Sequence, residues 1–154
     1  MNIATISLAS QVQINVKTTN PKWIPQYQSA GAAGADLLAA IETEQIIPPN
    51  CSALIPTGIF LEIPHGYEVQ IRPRSGLAFQ HQLTVLNAPG TIDSDYRGEI
   101  QVLLINHGKS AVPITPEMRI AQMIIATVIQ ARFQEVTDLN RTERHANGFG
   151  STGR

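Results

Sequence analysis

Gly90-Thr91-Ile92-Asp93-Ser94-Asp95-Tyr96-Arg97-Gly98-Glu99-Ile100 places two carboxylates and a tyrosine between glycines, with extended apolar segments on both sides. Residues 88–90, Ala-Pro-Gly, are a turn signal, and the apolar run at residues 100–105 is too short for an ordinary helix. The stretch therefore predicts a β-hairpin arm with Asp93 and Tyr96 at its bend. A carboxylate there can deprotonate a water molecule, and a tyrosine ring can lie against a sugar or a base. The alternative is a solvated turn with Tyr96 in the core.

Strand-like segments separated by turns fill most of the chain. Residues 12–17 alternate apolar and polar side chains, which is typical of a half-buried strand. Further strands are predicted at residues 35–41, 53–63, 67–72, 83–86, 99–105, 111–114 and 120–133. Only residues 75–81 predict a helix, and it is short. With its frequent proline and glycine turns, the pattern predicts an all-β fold, a jelly-roll-like barrel or sandwich with one short helix.

The chain divides into one domain and a tail. Its 154 residues are enough for a single domain with a sizeable core, predicted at residues 1–140. Residues 141–154 combine glycine, serine and arginine with one aromatic residue, so they cannot bury enough apolar surface to pack alone. A disordered tail of no consequence is the simplest interpretation. Phe149 among glycines favours instead a mobile C-terminal lid that closes over a ligand.

Composition narrows the functional classes. Charged residues make up only 15% of the chain, which is compatible with burial of surface against further copies of it. The net charge of −1 argues against a nucleic-acid coat or a membrane-surface role, both of which need a basic patch. Cys51 is the only cysteine, so neither an intrachain disulfide nor a zinc cluster is expected. Without a signal-peptide pattern or an apolar run of about 20 residues, we expect a cytoplasmic protein.

Two short motifs each place one polar side chain in an apolar strand. Residues 33–37, Ala-Gly-Ala-Asp-Leu, carry Asp36 as a lone acid, for which a capping role at a strand start is the plainer interpretation. Residues 119–124, Arg-Ile-Ala-Gln-Met-Ile, carry Gln122, which needs a hydrogen-bond partner if it is buried and needs none on a solvent-facing side.

Another motif, residues 73–78, has the features of an anion site. In Pro-Arg-Ser-Gly-Leu-Ala the amides of Ser75 and Gly76 come at the start of the short helix, where backbone N–H groups favour an anion. Arg74 adds a guanidinium fork suited to phosphate. Taken alone, Ser75 is equally compatible with a helix cap, and Arg74 with a surface salt bridge.

Taken in order, the motifs resemble those of the trimeric dUTP pyrophosphatases, the dUTPases. Residues 33–37, 73–78, 90–100, 119–124 and 144–153 match the first to the fifth family motif. Other residues stand where the family has glycine at four positions: Gln82, Glu117, His145 and Asn147. The resemblance implies a jelly-roll homotrimer whose sites each combine motifs from three subunits, the lid coming from a neighbour.

The resemblance also implies a reaction and a site. The reaction is hydrolysis of dUTP to dUMP and pyrophosphate by in-line water attack on the α-phosphorus, with Asp93 as general base and Tyr96 against the deoxyribose. Asp36 would hold the Mg²⁺–triphosphate through water. The residues implied at the uracil are Asn87, Thr91, Ile92, Gln101 and Phe149. The residues implied at the phosphates are Arg74, Ser75, Gly76, Gln122, Arg144, Ser151 and Thr152.

Two alternatives belong to other functional classes. A deoxycytidine triphosphate deaminase shares the fold and the substrate class, but it would be expected to replace Gly76 and to lack the glycine-rich lid. A non-catalytic nucleotide-binding protein on the same fold would be expected to lose Asp93, Asp36 or the lid. The sequence has Gly76, Asp93, Asp36 and the glycine-rich lid, which favours the dUTPase.

Overall fold

The computed structural model of the chain describes residues 11–147 and folds them into antiparallel β-sheets with one α-helix. The elements in chain order are β1 (Asn15–Thr18), a 3₁₀ helix (Pro21–Trp23), β2 (Gln26–Tyr27), β3 (Ala35–Leu38), β4 (Gln45–Ile47), β5 (Ser52–Glu62), β6 (Tyr67–Arg72), α1 (Ser75–His81), β7 (Leu83–Val85), β8 (Gly90–Ile92), β9 (Glu99–Asn106), β10 (Val112–Ile114) and β11 (Arg119–Thr127). No helix among residues 11–147 is long and apolar enough to cross a membrane.

The strands form two main sheets that share one core. The four-stranded sheet has the order β1-β5-β9-β7, and the five-stranded sheet has the order β2-β3-β11-β6-β8. Strands β4 and β10 form a separate two-stranded ribbon. From β5 to β9 the chain alternates between the two sheets, so each connection crosses from one sheet to the other. The predicted all-β, jelly-roll-like fold with one short helix is confirmed.

Alternating side chains explain why the long strands are stable. In β5 the residues Ile55, Ile59 and Leu61 are buried while their neighbours are partly or fully exposed. The same alternation buries Val102 and Leu104 of β9. Full burial of each such side chain contributes about 1.5–3 kcal/mol relative to exposure. The apolar faces of the two sheets thus meet in a continuous cluster of buried residues.

The last strand, β11, is shorter than its apolar sequence predicts. The strand expected at residues 120–133 ends at Thr127, because Thr127 pairs with Tyr67, the first residue of β6. Past that pair, residues 128–147 form no strand, and Ile129 and Phe133 are each 94% exposed. Exposed apolar side chains grouped in this way are typical of a surface that another chain covers.

The opening stretch of sequence forms a bend between the sheets, so the predicted hairpin is wrong. Strand β8 pairs with β6, whereas β9 pairs with β5 and β7. The stretch carries the chain from one sheet to the other, which separates β8 from β9. Residues 93–98, the β8–β9 bend, are closed by local bonds: the Tyr96 N–H donates to the Asp93 carbonyl at 3.2 Å. Arg97 Nη1 donates to the Ser94 carbonyl at 2.7 Å.

Three residues at positions where the resemblance implies glycine adopt the backbone conformation that favours glycine. Gln82, Glu117 and His145 have φ angles of 51°, 61° and 46°, in the left-handed region. Gln82 ends α1 there, and its N–H donates to the Ala78 carbonyl at 3.1 Å. The turns therefore keep a glycine-like shape although the side chains differ.

Asn106 joins β9 to the two-stranded ribbon. The side chain is fully buried, and its Nδ2 donates to the carbonyls of Ile47 and Ser110, both at 2.9 Å. Its Oδ1 accepts from the Gly108 N–H at 2.8 Å. One side chain thus satisfies three backbone groups of the ribbon and of the turn after β9.

Candidate functional site

A cleft of about 270 Å³ opens where the β8–β9 bend meets the four-stranded sheet. It is lined by Leu54, Thr91, Ile92, Asp93, Tyr96, Glu99 and Gln101, the set that we call the bend cleft. Five of the seven are residues that the sequence predicts for the site: Thr91, Ile92, Asp93, Tyr96 and Gln101. The bend brings them together, because β8 supplies one wall while β9 and β5 supply the other.

Tyr96 and Asp93 lie at the solvent side of the bend cleft. Tyr96 is 44% exposed, which rules out its placement in the core. Its hydroxyl donates to the Glu99 carbonyl at 3.1 Å, and Gly98 leaves the room that this hydroxyl occupies. Asp93 is exposed beside the ring. A solvated carboxylate at the mouth of a cleft can accept a proton from a water held there.

A second group of polar residues lies on the five-stranded sheet. Asp36 of β3 accepts two hydrogen bonds, from Arg74 Nε at 3.1 Å and from Arg119 Nη1 at 3.4 Å. Arg74 Nη1 also donates to the Arg119 carbonyl at 3.2 Å. These three residues are named the arginine–carboxylate cluster. The Asp36 side chain is only 12% exposed, so the carboxylate holds both guanidinium groups in place.

Gln122 links three of the sequence motifs. It pairs with Asp36 on one side and with Arg72 on the other. Its Nε2 donates to the Pro73 carbonyl at 3.0 Å. A side chain at Gly34 would overlap Gln122 Oε1, so that glycine is needed for the close approach of the two strands. The predicted need of Gln122 for a partner is met, and the partner is backbone.

The start of α1 is open to solvent next to this cluster. Arg74 is the N-cap residue, and its side chain makes no capping bond. Ser75 and Gly76 are exposed, and a Cβ at Gly76 would meet only open space. The amides at the start of a helix have no partner within it, so they can bind an anion that approaches Arg74. The cap alternative for Ser75 is wrong, whereas Arg74 does form an ion pair, with Asp36.

The bend cleft and the arginine–carboxylate cluster are far apart in one protomer. Asp36, Gln122 and Arg72 lie side by side on β3, β11 and β6, and β8 comes next. Three strand spacings put Asp36 about 14 Å from β8. Strand β8 ends on a pair with Val69, so Asp93 lies about 13 Å further along the sheet. With both offsets the backbone positions of Asp36 and Asp93 are about 19 Å apart.

The remaining predicted residues lie elsewhere. Asn87 is exposed in the turn before β8 and does not line the bend cleft; its Nδ2 lies 3.3 Å from the position that a Cβ would take at Gly90. Arg144 is exposed in a local turn, where its Nε donates to the Asn147 carbonyl at 3.0 Å. Three predicted residues lie outside the described part of the chain: Phe149, Ser151 and Thr152.

Three residues of the bend cleft and of the arginine–carboxylate cluster are not predicted from the sequence. Leu54 and Glu99 enter the bend cleft through the pairing of β5 with β9, which local sequence does not reveal. Arg119 belongs to a recognised motif, and its position just before the apolar run of β11 was a signal for an exposed strand start. Its bond to Asp36 places it in the cluster.

The described residues fit a Mg²⁺ ion only through a ligand that brings its own oxygens. Within residues 11–147 no three or more His, Cys, Asp or Glu residues are grouped to hold a metal. Asp36 offers the carboxylate oxygen that Mg²⁺ prefers, but two arginines already compensate its charge. Mg²⁺ keeps several waters and is commonly held by one or two carboxylates together with substrate phosphates. Asp36 is therefore suited to contact such an ion through one of its waters.

Comparison with known proteins gives one family. A sequence model of the dUTPase family matches residues 20–153. The deoxyuridine 5'-triphosphate nucleotidohydrolase of Rhizobium rhizogenes is 58% identical over 132 residues, which cover 84% of this chain and 85% of that protein. The protein of the same name from Nautilia profundicola is 58% identical over 144 residues, 93% of this chain and 100% of that protein.

Solved structures show the same fold. The Staphylococcus bacteriophage 80alpha dUTPase with dUPNHPP superposes with a TM-score of 0.84 at 22% identity, over 94% of this chain and 100% of that one. A mutant dUTPase from phage phi11 of S. aureus, described for the coordination of a structural Mg(II) ion, has a TM-score of 0.75 at 18% identity, over 84% of this chain and 100% of that one. At such identities the likeness concerns the fold.

Proposed function

This chain belongs to the dUTPase family, and on that premise we propose that it hydrolyses dUTP to dUMP and pyrophosphate. The observation that carries the proposal is the bend cleft, where Asp93 and Tyr96 lie beside Thr91, Ile92 and Gln101. A small cleft with a free carboxylate at its mouth suits a nucleoside whose phosphate chain leads out past that carboxylate. A deaminase of the same fold is not favoured, because the similar proteins described above are named nucleotidohydrolases.

Asp93 is the general base of the proposed reaction. Its carboxylate accepts a proton from a water whose oxygen forms the new bond to the α-phosphorus. The bond from that phosphorus to the bridging oxygen breaks, and pyrophosphate leaves with the electron pair. General base catalysis by a placed carboxylate contributes typically about 10²–10⁴-fold to the rate. Its exposure leaves Asp93 free to reach that water.

The bend cleft selects the base and the sugar. Backbone groups of Thr91 and Ile92, with Gln101, face the uracil edge, and Asn87 lies one turn before them. Cytosine presents an amino group where uracil presents an oxygen, and rejection through unpaired buried polar groups is stronger than rejection of a methyl group such as that of thymine. The Tyr96 ring lies against the deoxyribose and leaves no room for a 2′-hydroxyl.

The arginine–carboxylate cluster and the start of α1 bind the phosphate chain. Arg74 is held by Asp36 with its guanidinium in place, and the two residues that follow it, Ser75 and Gly76, are exposed at the start of α1. Gln122 lies next to Asp36 in the sheet. Mg²⁺, when bound by the triphosphate, compensates phosphate charge and orients the α-phosphorus. Asp36 is suited to contact that ion through water.

We further propose a homotrimer with sites shared between subunits. The base and the α-phosphate must lie near Asp93, while the rest of the triphosphate must reach Arg74 and Asp36. In one protomer those places are about 19 Å apart by strand spacing. A neighbouring subunit can bring its cluster next to the bend cleft. The exposed apolar residues of the segment after β11, including Ile129 and Phe133, supply a surface that assembly would cover.

Residues 141–154 are proposed to close the shared site as a lid. Among the described residues Arg144 is exposed and its Nε donates to the Asn147 carbonyl, and we assign its guanidinium to a terminal phosphate together with Ser151 and Thr152. Phe149 is assigned to stack on the uracil. A cytoplasmic location is proposed as well, because Cys51 is an exposed thiol of the kind that reducing compartments preserve.

The proposal is tested by pyrophosphate release from dUTP, dCTP, dTTP and UTP, measured side by side with Mg²⁺. The intact protein is expected to prefer dUTP strongly, and Asp93→Asn to lose about 10²–10⁴-fold in kcat while still binding nucleotide. Asp95→Asn is the matched control, since Asp95 lies on the same bend but outside the bend cleft. Comparable rates for all four nucleotides, or full activity of Asp93→Asn, would contradict the proposal.

A further inference from the structure

A bulge in β5 lies directly beside the bend cleft. The ladder pairs Pro56 with Gln101 and Phe60 with Glu99, so three residues of β5 face one residue of β9. Bulges leave the extra residues without ladder partners and re-aim the neighbouring side chains. Both Glu99 and Gln101, on either side of the irregularity, line the bend cleft. The shape of residues 57–59, the β5 bulge, therefore sets how that wall of the cleft is presented.

Side chains replace the missing ladder bonds at the β5 bulge. The Thr57 hydroxyl donates to the Ile100 carbonyl, and the Gly58 N–H donates to Glu99 Oε1 at 2.8 Å. Gly58 has a φ of +66°, and the ring of Trp23 packs against it so closely that no space is left for a Cβ. The Glu99 carboxylate thus satisfies a backbone donor at a conformation that only glycine adopts easily.

Tyr96 is also hydrogen-bonded to Glu99. Its hydroxyl donates to the carbonyl of Glu99, so the ring position depends on where the first residue of β9 lies. Arg97 Nη1 donates to the Tyr96 carbonyl at 2.9 Å and stiffens the bend from the other side. Through Glu99, one continuous set of contacts leads from Trp23 and Gly58 to the ring at the mouth of the cleft.

We propose that Glu99 is a positioning residue that sets nucleotide discrimination. By holding the β5 bulge with its side chain and Tyr96 with its carbonyl, it fixes the wall against which the sugar rests. The inference rests on the proposed dUTP hydrolysis. What Gly58 needs is an oxygen acceptor, and a carboxamide oxygen at the same reach serves as well as a carboxylate. The charge of Glu99 is not required.

The test compares Glu99→Gln, which keeps the acceptor, with Glu99→Leu, which keeps the approximate size and removes it. For Glu99→Leu we expect a roughly tenfold higher KM for dUTP, the size of effect that loss of one hydrogen bond produces. We also expect a lower ratio of kcat/KM for dUTP to that for UTP, with kcat for dUTP little changed. Glu99→Gln should match the unaltered protein in all three quantities.

Two further measurements isolate the position of the bulge. Trp23 is the only tryptophan, so its emission reports on the packing at Gly58 and should shift in Glu99→Leu but not in Glu99→Gln. Glu62→Leu is the control: the Glu62 carboxylate also accepts one bond, from Asn15 Nδ2 at 2.7 Å, at the end of β5 and outside the bend cleft. This variant should keep both the emission and the dUTP/UTP ratio.

The outcomes separate the two proposals. If the unaltered protein hydrolyses no dUTP, the proposed function fails. If it is active and Glu99→Leu keeps the dUTP/UTP ratio, or Glu99→Gln loses it, the positioning role is wrong. Should Glu99→Leu not fold, Glu99→Asp takes its place, because a carboxylate shortened by one methylene cannot reach Gly58 from the same backbone; an unchanged ratio there also overturns the role.

Discussion

At the scale of single residues, several turns carry side chains where the backbone favours glycine. Glu117 has a φ of 61° and is exposed, and its N–H donates to the Ala39 carbonyl at 2.9 Å. That bond fixes the turn before β11 and so holds Arg119 near Asp36. The left-handed conformation costs about 1–2 kcal/mol for a residue with a Cβ. The cluster is thus positioned by a turn that is strained in this chain.

Replacing Glu117 by glycine is expected to relieve that strain. Glu117→Gly should be about 1 kcal/mol more stable than Glu117→Ala, because only the alanine variant keeps a Cβ in the left-handed region. The greater flexibility of glycine in the unfolded chain reduces this difference, and the value given includes that reduction. Both variants lack the exposed contact between Lys22 Nζ and Glu117 Oε1, so the comparison isolates the backbone term. Urea unfolding at equal protein concentration measures the difference, and equal midpoints would argue against strain at this turn.

At the scale of elements, pairing partners decide where strands lie and end. Alternation in the sequence predicts β5, β6 and β9 well, because each has one buried face. The two residues of β2 and the three of β4 are too few to show a period. The end of β11 is set by the length of β6, and the entry of Leu54 and Glu99 into the bend cleft is set by the register of β5 with β9. Such long-range pairing leaves no local signal.

The site was predictable to the extent that its residues lie in continuous motifs. Thr91, Ile92, Asp93 and Tyr96 belong to one stretch, and they do meet in one cleft. The separation of that cleft from Asp36 depends on the order of strands in the sheet, which no single motif encodes.

The two-stranded ribbon depends on one buried side chain. Asn106→Leu is expected to destabilise the protein by about 3 kcal/mol, because it leaves several buried backbone groups without partners at roughly 1–3 kcal/mol each. Asn15→Leu is the control, since Asn15 bonds Glu62 at the surface and should change stability by less than about 0.5 kcal/mol. Chemical unfolding of both variants measures the contrast; a loss of equal size in the two would show that Asn106 is not special.

Removal of the segment after β11 is expected to affect activity without affecting stability. All residues from 128 to 147 are exposed, residues 141–147 of the proposed lid among them. Truncation after Asn140 should therefore lower dUTP turnover at least about tenfold, as expected for a closing lid, while the unfolding midpoint stays the same. Hydrogen exchange with and without a non-hydrolysable dUTP analogue and Mg²⁺ provides the second measurement. Full turnover after truncation would remove the lid from the mechanism.

At the scale of the whole molecule, the proposed trimer makes each subunit contribute to more than one site. If Asp93 and Asp36 at one site come from different subunits, two inactive variants can complement each other. Equal amounts of Asp93→Asn and Asp36→Asn, unfolded and reassembled together, should recover about a quarter of the normal activity, since each required residue is intact with a probability of one half in a closed ring. Each variant reassembled alone is the control.

Sites built within single subunits would give no recovery in that mixture, although the mass from light scattering should still be that of a trimer. A monomeric mass with full activity would contradict shared sites altogether.

The apolar residues exposed after β11 also affect how a newly synthesised chain is degraded or bound by chaperones. If the proposed trimer forms, a protomer that has folded but not yet assembled exposes Ile129 and Phe133, on backbone outside any sheet. Such backbone is readily cut by proteases, and such side chains are readily bound by chaperones. Because encounter between protomers slows with dilution, a subunit remains unassembled for longest when synthesis is slow, and it is then exposed to proteases for longest. The yield of intact enzyme should then rise more steeply than the rate of synthesis.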